Sequence, residues 1–327
     1  MWKKNATVFV ILCVATSLLA GGYVWSYRKK VEEYSRAGHR TIKVGELERS
    51  YELFVPKSLP ASDSVPLLLV LHGGGGTGKG MQYLTLGGFN TLADRDGFLV
   101  VYPDGLKKNW NDGRMVPSSE AHRMKLDDVG FLKAMIAALK QEFRIDPQRV
   151  YSTGISNGAF MSARLAIEAA DVFAAIAPVT GSLPTVEGVR PGPSEPISVL
   201  MINSTEDTLV PMGGGAVGFK RTPRGTCIPV VEAVQFWAQA NGCATGSTVL
   251  DEPDRDPVDG TRVKKHSFEG GLDGTEVVLL EIIGGGHTWP SGAQYAPEFL
   301  VGKTSKELDA CRLIWDFFKA HPKQLVR

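Results

Sequence analysis

Gly154-Ile155-Ser156-Asn157-Gly158 sets a serine between two glycines, after the apolar run RVYSTGI (149–155) and before the helical pattern GAFMSARLAIEAA (158–170). A tight strand-to-helix turn would lift the Ser156 hydroxyl out of a sheet, and glycines on both sides relieve the crowding that such a turn creates. A serine hydroxyl is a weak nucleophile by itself; it needs a base to take its proton and an acid to orient that base. Three histidines follow Ser156: His266, His287 and His321. His321 ends the last helical pattern, where an imidazole meets the negative end of the helix dipole. His266 lies in the charged stretch RVKKHSFEG and reads as solvent-facing. His287 follows the apolar run EVVLLEII (276–283) and the turn Gly284-Gly285-Gly286, and is the expected base. For the acid, Asp207 follows the apolar run ISVLMIN (197–203) in NSTEDTLVP, with Glu206 as the neighbour that could replace it. Asp171 and the acids between Asp251 and Asp259 sit in polar stretches that read as solvated loops.

Ester or amide chemistry at such a serine also needs donors for a developing oxyanion. His72-Gly73-Gly74-Gly75-Gly76 directly follows the run PLLLVL, and glycines let backbone N–H groups approach a reacting oxygen closely. The residue after the nucleophile, Asn157, supplies the second donor. Gly73, Gly78 and Lys79 also have the spacing of a phosphate-binding loop, but Gly80 stands where that loop needs a Ser or Thr for Mg²⁺. There is no H-E-x-x-H and no closely spaced His pair, so neither metal nor cofactor is expected.

The elements that must position these groups alternate. YELFVP (51–56), PLLLVLH (66–72), FLVVYP (98–103), RVYSTGI, FAAIAPV (173–179), ISVLMIN and EVVLLEII read as strands. Helical periodicity marks residues 129–143, 158–170, 230–240 and 305–320, with Asp127 and Asp128 at a favourable N-terminus. Continuous apolar strands alternating with helices predict one doubly wound α/β domain, its mostly parallel sheet covered by helices on both faces. Residues 182–196 form a Pro/Gly loop within it.

The 327 residues carry 36 Lys+Arg against 35 Asp+Glu, a net charge of +1 that argues against a nucleic-acid partner. Residues 1–30 hold five cations and no acid, and Asn5 to Tyr27 carries no charge at all. The expectation is a signal peptide or membrane anchor at 1–30, with residues 6–27 as the possible span, and a polar linker at 31–40. The catalytic domain would then fill 41–327, and the protein would be secreted or extracytoplasmic, touching membrane only through that segment. Cys227, Cys243 and Cys311 lie beyond it. A helix over 230–240 would hold Cys227 and Cys243 about 20 Å apart, too far for a disulfide. Any bridge must use Cys311; three reduced cysteines are the other possibility.

HGGGG, GISNGAFM, the acid in STEDTLVP and GGGHTWP together resemble the exported α/β-hydrolase esterases of the feruloyl esterase, acetylxylan esterase and polyhydroxybutyrate depolymerase group. NWNDGR (109–114), DDVGFL (127–132) and the final IWDFF extend the resemblance over about residues 40–322. It implies the α/β-hydrolase fold, with Ser156 as nucleophile, Asp207 as acid and His287 as base. Gly74 and Asn157 match the oxyanion positions. Trp110 and Trp289 fall in segments that line the acyl pocket, though both could be ordinary packing aromatics. Two departures stand out: no Cys lies between Cys243 and Cys311 to complete a bridge common in the group, and no polymer-binding module is appended. The expected activity is hydrolysis of small or aromatic acyl esters, feruloyl or acetyl esters of polysaccharide or short polyhydroxyalkanoate esters. The glycines within 73–76, 212–215 and 284–286 suggest a shallow cleft lined by backbone. The rival reading, a non-catalytic binding protein on the same scaffold, has the retained triad residue types against it.

Overall fold

The computed structural model describes residues 29–324, apart from 61, 62, 189 and 220. The expected signal or anchor segment therefore falls almost wholly outside the described residues. Among those described, no helix is long and apolar enough to cross a membrane.

One sheet organises the molecule. Its strands are β1 (Gly38–Val44), β2 (Leu47–Phe54), β3 (Val65–Leu71), β4 (Leu99–Pro103), β5 (Ile145–Ile155), β6 (Ala175–Val179), β7 (Ser198–Ser204), β10 (Thr248–Asp251), β11 (Arg262–Phe268) and β12 (Val277–Ile283). They lie in the order β1-β2-β4-β3-β5-β6-β7-β12-β11-β10. Every neighbouring pair from β4 across to β12 is parallel. The outer strands β1, β2, β11 and β10 add on antiparallel. Two further strands, β8 (Gly215–Phe219) and β9 (Thr222–Cys227), pair with each other as a separate hairpin, which meets the loop at Pro184 through one isolated antiparallel bridge at Cys227.

The apolar runs explain the layering. Strand β3 is buried along its whole length, and its side chains alternate between two cores. Leu67, Leu69 and Leu71 face helices α3 (Asp128–Glu142), α4 (Asn157–Glu168) and α5 (Val230–Ala240). Leu68 and Val70 face α1 (Gly78–Leu84), α2 (Gly88–Asp96) and α6 (Ala310–Ala320). A strand covered on both faces has no solvent side to mark with polar residues, which is why these runs read as continuous. This is the α/β-hydrolase fold.

The last helix begins at Ala310, later than its periodicity from Ser305 suggests. The preceding side chains are used elsewhere: Ser305 Oγ meets Thr261 Oγ1 at 2.7 Å, and Glu307 accepts from the Arg255 and Asp256 backbone N–H groups. Asp309 then caps the helix by accepting from Arg312 N. Cys227, Cys243 and Cys311 are free thiols, each with burial pushing its acidity down.

The chain leaves β3 toward β4 on one side and later returns to place β5 on the other. Such a reversal opens a crevice at the carboxyl ends of the two strands, the place where open α/β sheets form their sites.

Candidate active site

Ser156 sits at that crevice, between the end of β5 and the start of α4, with φ 57° and ψ −120°. A non-glycine residue there carries backbone strain of about 1–3 kcal/mol, which persists only where the surroundings enforce it. Its N–H donates to Val179 O at 3.0 Å, tying the turn to β6. The flanking glycines are required by close backbone approach. A Cβ on Gly154 would lie 2.7 Å from the Leu71 carbonyl oxygen, and one on Gly158 would press into the same atom.

His287 and Asp207 arrive from the other half of the sheet. Asp207 follows β7, and its Oδ1 accepts from the Leu209 and Val210 N–H groups at 2.8 and 2.7 Å. Its Oδ2 lies 2.7 Å from His287 Nδ1. A carboxylate only accepts, so Nδ1 carries the proton and Nε2 is left as the basic nitrogen. His287 is held from its backbone as well: its N–H donates to Val301 O and its carbonyl accepts from the Tyr295 hydroxyl at 3.0 Å. Gly286 packs against Gly302 so tightly that neither has room for a side chain. Ser156 and His287 both line one cavity of about 590 Å³, with Asp207 behind the imidazole. Glu206, the alternative acid, points to solvent.

The glycine loop His72–Gly76 follows β3 and forms the adjoining wall. His72 Nδ1 donates to Gly73 O at 2.8 Å, while Nε2 accepts from Gly105 N–H at 2.9 Å. The acceptor bond at Nε2 requires the neutral ring, and burial lowers the His72 pKa in the same sense. Gly74 and Asn157 lie next to each other on the wall. The Asn157 side chain is fully engaged beneath it: Oδ1 accepts from Trp110 N–H, and Nδ2 donates to Trp110 O and Asp112 Oδ2. Its backbone is thereby fixed at the start of α4.

Trp110 and Trp289 are not brought to the cavity. Trp110 is fully buried, its Nε1 donating to His72 O at 2.9 Å, so it braces the glycine loop from behind. Trp289 packs edge-on against Phe89 in the core. The packing alternative is the one realised. His266 is also not loose in solvent: it lies on β11, half-buried, with Nε2 2.9 Å from Glu281 Oε2. His321 caps α6, its Nδ1 donating to Phe317 O.

The cavity is lined by more than the expected glycines. Gly73–Gly76 line it, but residues 212–215 and 284–286 do not. Its other walls are side chains, including Met81, Leu84, Val116, Val217, Phe219 and Leu300. The β8–β9 hairpin supplies one wall, and the sequence offered no periodic signal for it. Two polar groups at or beneath the wall were missed. Arg224 stands on β9 at the cavity edge. Asp112, buried beneath Asn157, binds Arg114 through Nε and Nη2 at 2.9 and 2.7 Å; the acid-Gly-Arg spacing in NWNDGR was the one available hint.

Comparisons with known proteins give the chain's relatives. A family model described as esterase PHB depolymerase matches residues 49–188. A protein of Nocardia uniformis subsp. tsuyamanensis named "Putative esterase NocK" is 34% identical over 292 residues, covering 85% of this chain and 81% of that protein. Poly(3-hydroxyalkanoate) depolymerase C of Paucimonas lemoignei is 32% identical over 134 residues, 39% of this chain and 30% of that one. Among solved structures, an acetyl xylan esterase from Aspergillus awamori superposes with a TM-score of 0.50 at 15% identity, over 79% of this chain and 96% of that chain.

Proposed function

Because this chain belongs to the esterase PHB depolymerase family of carboxylic ester hydrolases, we propose that it works as a serine esterase through Ser156, His287 and Asp207. The observation that carries this reading is the pairing of a strained Ser156 on its turn with the His287–Asp207 hydrogen bond across one cavity. Ser156 Oγ attacks the ester carbonyl carbon while His287 Nε2 takes its proton. Asp207 keeps the opposite nitrogen protonated and steadies the imidazolium that forms. The tetrahedral oxyanion meets the backbone N–H groups of Gly74 and Asn157, pre-aimed by the glycine loop and the anchored Asn157 side chain. Return of the proton from His287 releases the alcohol, and water repeats the sequence on the acyl-enzyme.

The substrates we propose are short or aromatic acyl esters of sugars or hydroxy acids. Relatives carrying the names acetylxylan esterase and poly(3-hydroxyalkanoate) depolymerase support that class. A partly apolar cavity of about 590 Å³ is in the range of small-molecule sites. We further propose that residues 1–30 direct the enzyme out of the cytoplasm, with residues 41–327 as its catalytic domain. A fluorophosphonate probe tests the chemistry: the wild-type protein should label at Ser156, and Ser156→Ala should lose both labelling and ester turnover, the latter by about 10⁴-fold or more. A folded protein that neither labels nor turns over esters would instead be a binding protein on this scaffold.

A further inference from the structure

Arg224 lies across the glycine loop. A Cβ placed on Gly74 would sit 2.7 Å from Arg224 Nη1 and 3.2 Å from Asn109 Oδ1, so the guanidinium lies directly against the glycine loop. The cavity wall contains two arginines and, among the described residues, no Asp or Glu. The two arginines differ in what they face. Arg114 is buried, doubly bonded to Asp112, and stacked 4.1 Å from the centre of the Phe160 ring. Arg224 is exposed on β9, and no described residue accepts a hydrogen bond from it or pairs with its charge. The imidazole of His122, also on the wall, has its basicity lowered by burial and adds no competing cation near neutrality.

An unpaired guanidinium beside apolar walls concentrates a positive field in the cleft, and its planar fork matches a carboxylate through two parallel hydrogen bonds. We propose that Arg224 selects esters that carry a free carboxylate a few atoms from the scissile bond, binding that carboxylate while Gly74 and Asn157 hold the ester oxygen. This rests on the serine-esterase reading and narrows its substrate class to half-esters of diacids and acylated hydroxy acids. Arg224 determines specificity and stands outside the bond-breaking machinery.

Two isosteric pairs test it. 3-Acetoxybutyrate against 3-acetoxybutyramide places the charge on the alcohol side; monomethyl succinate against methyl succinamate places it on the acyl side. The wild-type enzyme should favour the carboxylate in at least one pair by about tenfold or more in kcat/KM, the range of a charge-assisted hydrogen bond. The preference should shrink with added salt. Arg224→Gln should abolish it while leaving amide-member rates within about twofold, and Arg224→Glu should reverse it. Amide turnover also reports that each variant is folded. Equal rates within both pairs, a preference that survives Arg224→Gln, or an equal slowing of the neutral members would overturn the assignment and leave the esterase reading intact. Failure of the wild-type enzyme to turn over any of the four esters, with Ser156 unlabelled, would remove both.

Discussion

The carboxyl ends of β3, β5, β7 and β12 hold their side chains on backbone that is buried almost throughout, whereas β8 and β9 form a two-stranded sheet whose residues are mostly exposed. Both regions face the same cavity. On the parallel side, position is set by carbonyl and amide groups: Val179 O on Ser156, Val301 O on His287, two N–H groups on Asp207. On the hairpin side the anchors are fewer: Val217 and Cys227 pack against Phe160 and Val210, and two backbone bonds, Gly218 N–H to Leu209 O and Thr185 N–H to Thr226 O, tie the strands to neighbouring loops. Chemistry that tolerates errors of only a few tenths of an ångström belongs on the first kind of support. Discrimination among substrates needs only a few well-chosen side chains and can sit on the second. The contrast yields three expectations, beginning with the parallel side.

The largest effect should follow from Asp207→Asn. The amide is close in shape to the carboxylate but can present N–H to His287 Nδ1, which favours the wrong tautomer and leaves no basic Nε2. Activity should fall by about 10⁴-fold with the fold intact. Because Glu206 points to solvent, it should not rescue. A loss under tenfold would mean that the buried pair is structural only.

A smaller and different signature belongs to His72. Its folded pKa lies below the ordinary value because burial disfavours the charged ring, so the neutral form is the folded form. The unfolded chain takes up a proton below about pH 6.5 that the folded chain refuses, and stability falls as pH drops through that region. The slope attributable to one such proton is at most about 1.4 kcal/mol per pH unit. His72→Asn should be less stable at neutral pH, since Gly105 N–H loses its acceptor, yet its stability should decline less steeply between pH 6.5 and 5.5. Urea midpoints across that range decide the matter; parallel curves for the two proteins would show that His72 is not the proton acceptor. His122 shifts in the same direction and remains in both proteins, so it cancels from the difference.

The two regions also differed in how legible they were. Strands β3 to β7 and β12 announce themselves because burial on both faces leaves uninterrupted apolar runs, and Ser156, Asp207 and His287 stand out by following such runs. Strand β11, the last but one in the sheet, carries RVKKHSF, whose charges disguise it as a loop; only the pairing of His266 with Glu281 on β12 shows why a histidine sits there. Trp110 and Trp289 are ambiguous from composition, since an indole serves a pocket and a core equally well, and the deciding fact is where each ring ends up. The hairpin hides for a further reason. Its backbone takes positive φ at Gly215, Gly218 and Gly225, its strands are five and six residues long, and it has no two-faced burial to impose a period. Arg224 inherits that obscurity.

The smallest expected change in stability comes from the hairpin itself, and it separates the two regions most cleanly. Phe219 ends β8 with about half of its surface exposed while still forming part of the cavity wall. Replacing it by Ser removes apolar surface that water already reaches, so unfolding should shift by no more than about 0.5 kcal/mol. The same ring offers partial cover to an apolar acyl group, and each methylene that loses cover weakens transition-state binding by up to about 0.8 kcal/mol. Phe219→Ser should therefore lower kcat/KM for butyryl esters several-fold more than for acetyl esters, with acetyl turnover nearly unchanged. Should acetyl and butyryl esters slow together, the hairpin would be holding the catalytic side in place, and the division of labour between the two supports would be wrong.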